Sequence, residues 1–417
     1  MWKQLEEGFW EKNRVSKVDS VTEDVLKIID QVRVGGDEAL IELTKRFDKV
    51  NIDSVAVSRD EIDDAYDEVD EELIEALETA AANIQRFHEM QLDDDLKLSE
   101  VEPGVMLGIK STPLERVGAY IPGGKAAYPS TALMTVIPAR VAGVDEVICC
   151  TPSPVDPVTL VAMDIAGADE IYRIGGVQAI AAMALGTESI ETVQKIVGPG
   201  NVYVTAAKML LRYNTEIDFP AGPSEIGIVA DGTADPRFIA ADILAQAEHD
   251  PSSACVLVTN DKKLPEKVWE QIERMMASSP RVKIIKEALK NSGYMIKGSV
   301  EECVEAMNEM APEHLSLQVA DTMGALNIVR NAGSIFIGPY TPVAAGDYAS
   351  GTNHVLPTAG NASVMSGLNV SHFRKTSTVQ MISKDGLEEM APVIERIAEA
   401  EGLTAHRDSV RIRLNKK

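Results

Sequence analysis

Apolar residues follow two different patterns along the chain, and the change falls near Gly104. Between residues 21 and 90 they return every third or fourth position, as in Val25, Ile29 and Val32, which predicts helices with one buried face. Gly35-Gly36 interrupts the pattern and predicts a helix stop. The N-terminal fifth of the chain is therefore predicted to be mostly helical.

After Gly104, short apolar runs alternate with longer amphipathic segments. The predicted strands are 117–121, 146–151, 170–174, 195–197, 225–230, 254–259 and 334–337. The predicted helices are 131–142, 177–185, 202–211, 236–249, 265–276, 300–310, 322–331 and a final one at about 386–401. Continuous apolar strands separated by helices predict parallel sheets covered on both faces.

The predicted fold is α/β, with two open, Rossmann-like parallel-sheet domains, a helical N-terminal segment and a small C-terminal appendage. Residues 1–20 are predicted to form a helical arm, and residues 376–417 a C-terminal helix and tail. Residues 21–110 together with 235–375 are predicted to form the first domain, and residues 111–234 the second. A length of 417 residues, two to three times that of a usual domain, fits this division.

Charge and hydropathy exclude several classes of protein. With 40 Lys and Arg against 65 Asp and Glu, the net charge of −25 repels polyanions, so neither nucleic acid nor anionic membrane is an expected partner. The uncharged stretch 355–373 contains Pro357 and Gly360, so no membrane-spanning helix is expected there. Acidic residues near the N-terminus argue against a secretory signal, and four cysteines are too few for a disulfide framework. A cytoplasmic location is expected.

Residues 331–373 contain a single charged residue, Asp347, in a chain that is 25% charged. Because the segment is rich in Gly, Pro, Ser, Thr and Asn, it predicts loops packed near a ligand. Asp347 is then a candidate for chemistry. The alternative is that it only caps a turn, since Asp is a favoured turn residue.

Four of the six histidines stand beside polar groups. Gln246 and His249 are three apart at the end of a predicted helix, so they share one face and could bind one ion, although an exposed helix face is the commoner explanation of such a pair. Glu313-His314 follows a proline that stops the preceding helix, and an adjacent acid and imidazole can divide the work of a base. His406 alone would be a tail residue, and His88 a surface residue.

Two glycine-rich turns, 175–178 and 198–201, each follow a predicted strand and open a helix, so their backbone N–H groups could meet a nucleotide. Neither matches the G-x-G-x-x-G fingerprint, and bare sheet-to-helix turns remain the alternative. Cys149 and Cys150 close a strand, where a thiolate could serve an aldehyde-oxidising enzyme. Small buried hydrophobic residues are the other use of such cysteines.

Residues 217–226 (IDFPAGPSEI) resemble the signature of the histidinol dehydrogenase family. The resemblance extends over seven further motifs in order along the chain: 117–124 (VGAYIPGG), 198–201 (GPGN), 245–249 (AQAEH), 311–314 (APEH), 345–348 (AGDY), 351–354 (GTNH) and 401–406 (EGLTAH). It implies the last step of histidine biosynthesis, the four-electron oxidation of L-histidinol to L-histidine through histidinal, with two NAD molecules reduced in turn. It also implies two Rossmann-like domains that lack the glycine-rich fingerprint.

The same resemblance assigns residues to roles. It implies one Zn²⁺ per subunit, with Gln246, His249, Asp347 and His406 as ligands that also border the substrate. His314 matches the base, which also borders the substrate, and Glu313 the residue that activates water for aldehyde hydration. Further positions match substrate contacts (Ser224, His354 and Glu401) and NAD contacts (Tyr120, Gln178 and Asn201). Family members are homodimers with shared sites, which implies that the segment carrying His406 completes the partner's site.

Three other functions stay open. An aldehyde dehydrogenase-like enzyme would use Cys150 as its nucleophile, and a zinc hydrolase would use Glu313 as its base. A non-catalytic metal- or nucleotide-binding protein would lack one ligand or the base.

Overall fold

A computed structural model describes residues 2–10, 14, 18–123, 127–220 and 222–415. Chain contacts divide it into two compact units. The large unit comprises Met1–Gln91 and Glu115–Phe373, and the small unit comprises Leu92–Leu114 and Arg374–Lys417. The predicted division at residues 110 and 234 therefore stays a prediction, since both α/β sheets fall within the large unit.

The α-helices of the described residues are numbered here in chain order. They are α1 (Thr22–Phe47), α2 (Arg59–Glu68), α3 (Glu71–Glu89), α4 (Pro129–Val141), α5 (Pro157–Ala166), α6 (Gly176–Leu185), α7 (Val202–Leu210), α8 (Pro236–Ala247), α9 (Leu264–Met276), α10 (Val282–Ala288), α11 (Val300–Met310), α12 (Thr322–Ile328), α13 (Val343–Tyr348), α14 (Lys384–Ala400) and α15 (Thr404–Arg413).

The strands, numbered in the same way, form three sheets. They are β1 (Lys3–Gln4), β2 (Leu96–Glu102), β3 (Val105–Pro113), β4 (Arg116–Tyr120), β5 (Glu146–Cys150), β6 (Glu170–Tyr172), β7 (Lys195–Val197), β8 (Glu216–Ile217), β9 (Glu225–Ala230), β10 (Ala254–Thr259), β11 (Gly293–Ile296), β12 (His314–Gln318), β13 (Ser334–Ile337) and β14 (Arg374–Ile382).

Sheets A and B, both in the large unit, are parallel throughout. Sheet A has the order β1-β11-β10-β9-β12-β13, and sheet B has the order β6-β5-β4-β7-β8. Apart from β1, the strands of each sheet, counted along the chain, lie in the order 3-2-1-4-5. Each sheet therefore reverses its winding beside its first strand, between β9 and β12 in sheet A and between β4 and β7 in sheet B. The predicted pair of Rossmann-like sheets is confirmed.

Helix α1 packs on sheet B. Its buried side chains Val25, Ile29 and Leu40 belong to one apolar cluster with Tyr120 and Ile148 of that sheet. Thus the structure places the first part of residues 21–110 with sheet B, whereas the predicted grouping joins it to residues 235–375. The helical period shows that α1 has a buried face, but it does not show which sheet that face covers.

The predicted stop at Gly35-Gly36 is a local break inside α1. Gly36 has φ +50°, and a Cβ at this position would lie 2.2 Å from a carboxylate oxygen of Glu188. The chain then returns to helical conformation. The glycine is favoured here because an L residue is strained at that φ, and a Cβ would also force the Glu188 carboxylate to move.

The small unit contains sheet C, an antiparallel sheet with the order β14-β3-β2. No strand is predicted for its residues. The segment 404–413, predicted as part of a tail, forms α15. The predicted arm 1–20 begins with strand β1 paired to β11, and its residues 1, 11–13 and 15–17 lie outside the described residues.

Candidate active site

The strongest cluster of chemically reactive side chains lies at the amino end of sheet A, where β9 and β12 begin side by side. In their parallel register His314 is the partner of Ile226, so Glu313 and Glu225 meet at the same edge. Ala311 ends α11 with φ 45°, and Pro312 follows it, which brings the chain out of the helix and into β12. The local sequence therefore fixes where Glu313 and His314 emerge.

The main chain of Glu225 holds both side chains. Its N–H donates to Glu313 Oε2 over 2.8 Å, and its carbonyl oxygen accepts from His314 Nδ1 over 3.1 Å. With Nδ1 carrying the proton, the other ring nitrogen, Nε2, is the one available for chemistry. Nε2 is buried without a hydrogen-bond partner and lies 3.7 Å from Asp347 Oδ1.

Asp347, in the last turn of α13, is surrounded by imidazoles. Its carbonyl oxygen accepts a hydrogen bond from His354 Nδ1 over 3.0 Å. Burial tends to raise the pKa of Asp347, but His314, His354 and His249 together lower it. Burial likewise tends to lower the pKa of His314, yet the carboxylates of Glu313 and Asp347 raise it to about 10. Asp347 is thus a buried carboxylate held in its charged form.

Gln246 and His249 stand at the end of α8. Gln246 is buried in the last turn, whereas His249 is exposed beyond the helix and its N–H donates to the Gln246 carbonyl oxygen over 3.4 Å. α8 ends at Ala247, short of the predicted bound, and the main chain continues in a turn through His249, so the shared face of Gln246 and His249 stays a prediction. His249 nevertheless lies near enough to Asp347 to lower the pKa of that carboxyl.

The side chains of Gln246, His249 and Asp347 are of the chemical types that bind zinc. No group of three His, Cys, Asp or Glu side chains suited to a metal occurs among the residues that the structure describes. The large unit supplies only two such members of the predicted set, His249 and Asp347, with the Gln246 amide as a third donor. An imidazole, a carboxylate and an amide oxygen suit zinc, and beside Asp347 the His314 Nε2 is a buried polar atom without a hydrogen-bond partner.

The other predicted members of this site are divided between the units. Ser224 directly precedes β9, and its carbonyl oxygen accepts from Ala254 N–H over 3.1 Å. Glu401 caps the C-terminus of α14 and His406 lies in the first turn of α15, both exposed in the small unit.

The three predicted NAD contacts meet at the carboxyl edge of sheet B, beside the winding reversal between β4 and β7. Tyr120 ends β4, and its hydroxyl accepts from Gly176 N–H over 3.0 Å. Burial raises the pKa of Tyr120 to about 12, so the hydroxyl keeps its proton. Gln178 is buried in the first turn of α6, and Asn201 Oδ1 caps α7 by accepting from Tyr203 N–H over 2.9 Å. In open α/β sheets this is where nucleotides bind.

Gly198 lets the two central strands of this edge approach each other. It has φ +111°, and a Cβ there would lie 2.2 Å from the Tyr120 carbonyl oxygen. Its N–H donates to Asp218 over 2.8 Å, and its carbonyl oxygen accepts from Lys208 Nζ over 3.0 Å. Lys208 and Asp218 also form an ion pair. The turn before Asn201 is therefore fixed from both sides.

Sequence reasoning missed residues that support these side chains. His88, expected at the surface, is fully buried, with Nε2 3.4 Å from Asn353 Nδ2. Asn353 Nδ2 donates to Met134 O over 2.7 Å and so anchors the loop that carries His354.

Glu225 is an acid at the head of an entirely apolar strand, a signal that could have identified it. Arg14, which pairs with Glu225, has no such signal.

The buried thiols do not support the aldehyde dehydrogenase-like alternative. Cys149 and Cys150 are fully buried, and burial raises the pKa of the Cys150 thiol well above its ordinary value. Because the thiolate is the nucleophile, this cysteine is unsuited to attack an aldehyde. The two cysteines pack as small apolar residues in the core.

Comparison with known proteins gives the family. The family model described as histidinol dehydrogenase matches residues 11–414. The chain belongs to the histidinol dehydrogenase family. It is 52% identical to the histidinol dehydrogenase of Methanosarcina mazei over 96% of this chain and 94% of that protein. It is 46% identical to that of Methanocaldococcus jannaschii over 99% and 96% of the two chains.

A solved structure agrees with this family. The crystal structure of histidinol dehydrogenase from Elizabethkingia anophelis superimposes with a TM-score of 0.95 and 41% identity, over 99% of this chain and 97% of that chain. The predicted family and the prediction of an enzyme are therefore confirmed. Among the described helices, none combines the length and apolar character needed to cross a membrane.

Proposed function

We propose that this protein oxidises L-histidinol to L-histidine in two successive steps, with histidinal as the intermediate and NAD as the hydride acceptor in both. Family membership supports the substrate. The observation that carries the chemistry is His314 Nε2, a buried nitrogen without a protein partner on a ring whose Nδ1 is fixed by the Glu225 carbonyl. In the neutral form of this ring, with the proton on Nδ1, Nε2 is the atom that can take a proton from an alcohol.

The proposal includes one zinc ion per subunit, held by Gln246, His249 and Asp347, with His406 supplied by the partner subunit of a homodimer. When bound, zinc would accept the imidazole and amine of the substrate and so fix the alcohol carbon against the nicotinamide, and NAD would take up the hydride. A divalent cation beside Asp347 also offsets the negative charge that raises the pKa of His314. This favours the form of the ring in which Nε2 carries no proton.

In the first step, His314 Nε2 takes the hydroxyl proton of histidinol while a hydride leaves the carbon that bears this hydroxyl group. The product is the aldehyde. In the second, Glu313 takes a proton from the water that adds to the aldehyde carbon, while His314 returns its proton to the aldehyde oxygen, so that a hydrate forms and His314 is a base again. His314 then takes a hydroxyl proton of this hydrate as a second hydride leaves. Two hydrides lost and one water oxygen gained convert the CH₂OH group into a carboxylate.

The remaining assignments concern binding. Ser224, His354 and the partner subunit's Glu401 are proposed to contact the substrate. Tyr120, Gln178 and Asn201 are proposed to contact NAD, which the position of their turns at the carboxyl edge of sheet B supports. Asn201 uses Oδ1 as a helix cap, so its Nδ2 is the atom left for a ligand.

A cytoplasmic location is proposed as well, because the four cysteines are free and buried.

The test is NADH formation from L-histidinol by the purified protein, before and after treatment with a chelator and after zinc is restored. We expect two NADH for each histidinol consumed and a loss of activity on metal removal that zinc reverses. Cleavage of an ester or amide substrate without NAD reduction would favour the zinc hydrolase. Binding of zinc or NAD without turnover of histidinol would favour a non-catalytic protein.

A further inference from the structure

Arg14, from the N-terminal arm, reaches the candidate site. Its guanidinium forms a two-pronged pair with Glu225, with Nε donating to Oε1 over 3.0 Å and Nη2 to Oε2 over 2.8 Å. Only 14% of the arginine side chain and 7% of the glutamate side chain are exposed. Such a pair fixes the orientation of both groups, because the planar fork matches the carboxylate at two points.

The partner of Arg14 is the residue whose main chain holds the proposed base and the proposed water-activating acid. Glu225 N–H bonds to Glu313, and Glu225 C=O bonds to His314. A movement of the Glu225 main chain would therefore shift both side chains. A mismatch of about 1 Å at such a site costs about 10²-fold in rate.

Arg14 also supplies positive charge where two carboxylates are buried together. Burial, together with the neighbouring Glu313, raises the pKa of Glu225, and Arg14 offsets only part of this rise. The backbone of Ala359 donates to the Glu225 carboxylate as well. Beside it, a Cβ on Gly360 would lie 2.5 Å from Arg14 Nη1, so the loop closes tightly over the guanidinium. Without the arginine, two like charges would face each other with little access to water.

We propose that Arg14 is a positioning residue, which acts through Glu225 to hold Glu313 and His314 in their working geometry. The inference rests on the proposed function for the roles of those two side chains. It adds a residue of the N-terminal arm to the machinery of the reaction, although Arg14 itself touches no reacting atom.

The test compares Arg14→Ala, Arg14→Lys, Glu225→Gln and the double variant Arg14→Ala with Glu225→Gln. We expect Arg14→Ala to lower kcat for histidinal oxidation by about 10- to 100-fold, part of the 10²–10⁴-fold that a positioned base contributes. The KM for NAD should stay unchanged, because its proposed contacts are on sheet B. Arg14→Lys keeps the charge but loses the fork, so it should fall between wild type and Arg14→Ala.

The double variant gives the sharper result. If Arg14 neutralises and orients Glu225, the double variant should be several-fold faster than Arg14→Ala, because no uncompensated buried charge is left. Independent structural roles would instead make the double variant slower than either single one. That outcome, or a kcat for Arg14→Ala within about twofold of wild type, would overturn the proposal. If Arg14→Ala does not fold, the kcat values of Arg14→Lys and of the double variant are each compared with that of wild type instead, by the same twofold criterion.

Arg116→Ala is the matched control. Arg116 begins β4, the central strand of sheet B, pairs with Glu146 and Glu170, and has 13% of its side chain exposed. It should lower stability while leaving kcat unchanged. Equal losses of kcat in the Arg116 and Arg14 variants would show that only stability is at work.

A readout without turnover separates this inference from the proposed function. In nitrogen-15 NMR, the His314 imidazole signals, assigned with His314→Ala, should move in Arg14→Ala and stay in place in Arg116→Ala. If wild type forms no NADH from histidinol, the proposed function fails, and the NMR result still decides the coupling. Unmoved His314 signals in Arg14→Ala would refute it.

Discussion

Replacing Lys208 with Met should destabilise the protein strongly, because it removes one member of a buried ion pair. Only 4% of the Lys208 side chain and 1% of the Asp218 side chain are exposed. Lys208 also donates to the Gly198 carbonyl oxygen, while Asp218 accepts from Gly198 N–H. The substitution therefore leaves a buried carboxylate without its cation and loosens the turn that leads to Asn201.

The expected loss of stability depends on the hydrogen bonds that Asp218 keeps in the variant. Breaking a buried pair from one side costs about 3–5 kcal/mol. Asp218 retains N–H bonds from Gly198 and Phe219, which place the loss near the lower end, at about 3 kcal/mol. The matched control is Arg330→Ala, which breaks an ion pair in which Arg330 Nη2 donates to both carboxylate oxygens of Glu305 and the two side chains are 62% and 55% exposed. Its loss should be below about 1 kcal/mol.

Urea unfolding followed by circular dichroism gives the free energy of unfolding for each variant. Lys208→Met combined with Asp218→Asn should recover more than half of the loss, since no buried charge remains. The KM for NAD should rise about 10-fold in Lys208→Met, a change worth about 1.4 kcal/mol of binding, and stay unchanged in Arg330→Ala. A loss of unfolding free energy in Lys208→Met no larger than that in Arg330→Ala would refute the reasoning. So would a double variant whose loss equals the sum of the losses of Lys208→Met and Asp218→Asn.

Three further predictions test the site. His249→Ala and Asp347→Ala should each lose zinc and remain folded, as metal analysis and circular dichroism will show; stoichiometric zinc in both would remove them from the ligand set. Glu313→Ala should slow histidinal oxidation far more than the first hydride transfer, whereas His314→Ala should slow both by about 10²-fold or more; single-turnover kinetics from each substrate separate them, and equal effects of Glu313→Ala would contradict its role. Heterodimers of inactive His406→Ala and His314→Ala chains should regain half of the activity, because one shared site is intact; tagged heterodimers without activity would place His406 outside the partner's site.

The parallel sheets could be predicted because buried strands leave a strong signal. The apolar run at 225–230 is strand β9 with the same bounds, and 254–259 is β10. Sheet C left no such signal, since β2 is exposed along its whole length and reads as a polar segment, LKLSEVE. A strand that buries neither face shows neither an apolar run nor a clear alternation.

The residues of the candidate site could be named from motifs, but the supports between them could not. Glu313 and His314 are adjacent in sequence, whereas the Glu225 main chain that holds them is nearly ninety residues away. Main-chain hydrogen bonds are available to every residue type, so no side chain marks them. Arg14 resembles any surface arginine until the fold brings it to Glu225. His88 looks like a surface residue because a histidine is compatible with either side of a helix.

The candidate zinc site and the proposed nucleotide site lie at opposite edges of their sheets, and this difference has an electrostatic consequence. Because strands and helices alternate in direction, helices begin at the carboxyl edge of each sheet and end at the amino edge. The candidate zinc site lies at the amino edge of sheet A, where α8 and α11 end at Ala247 and Met310 and present the negative ends of their dipoles. The proposed nucleotide site lies at the carboxyl edge of sheet B, where α6 and α7 begin at Gly176 and Val202 and present the positive ends of their dipoles. The two sheets share one strand order, but the proposed zinc site uses an amino edge and the proposed nucleotide site a carboxyl edge. A cation would therefore meet negative helix ends, and a pyrophosphate would meet positive helix ends. The positive ends favour the pyrophosphate in a chain whose net charge of −25 would by itself repel it.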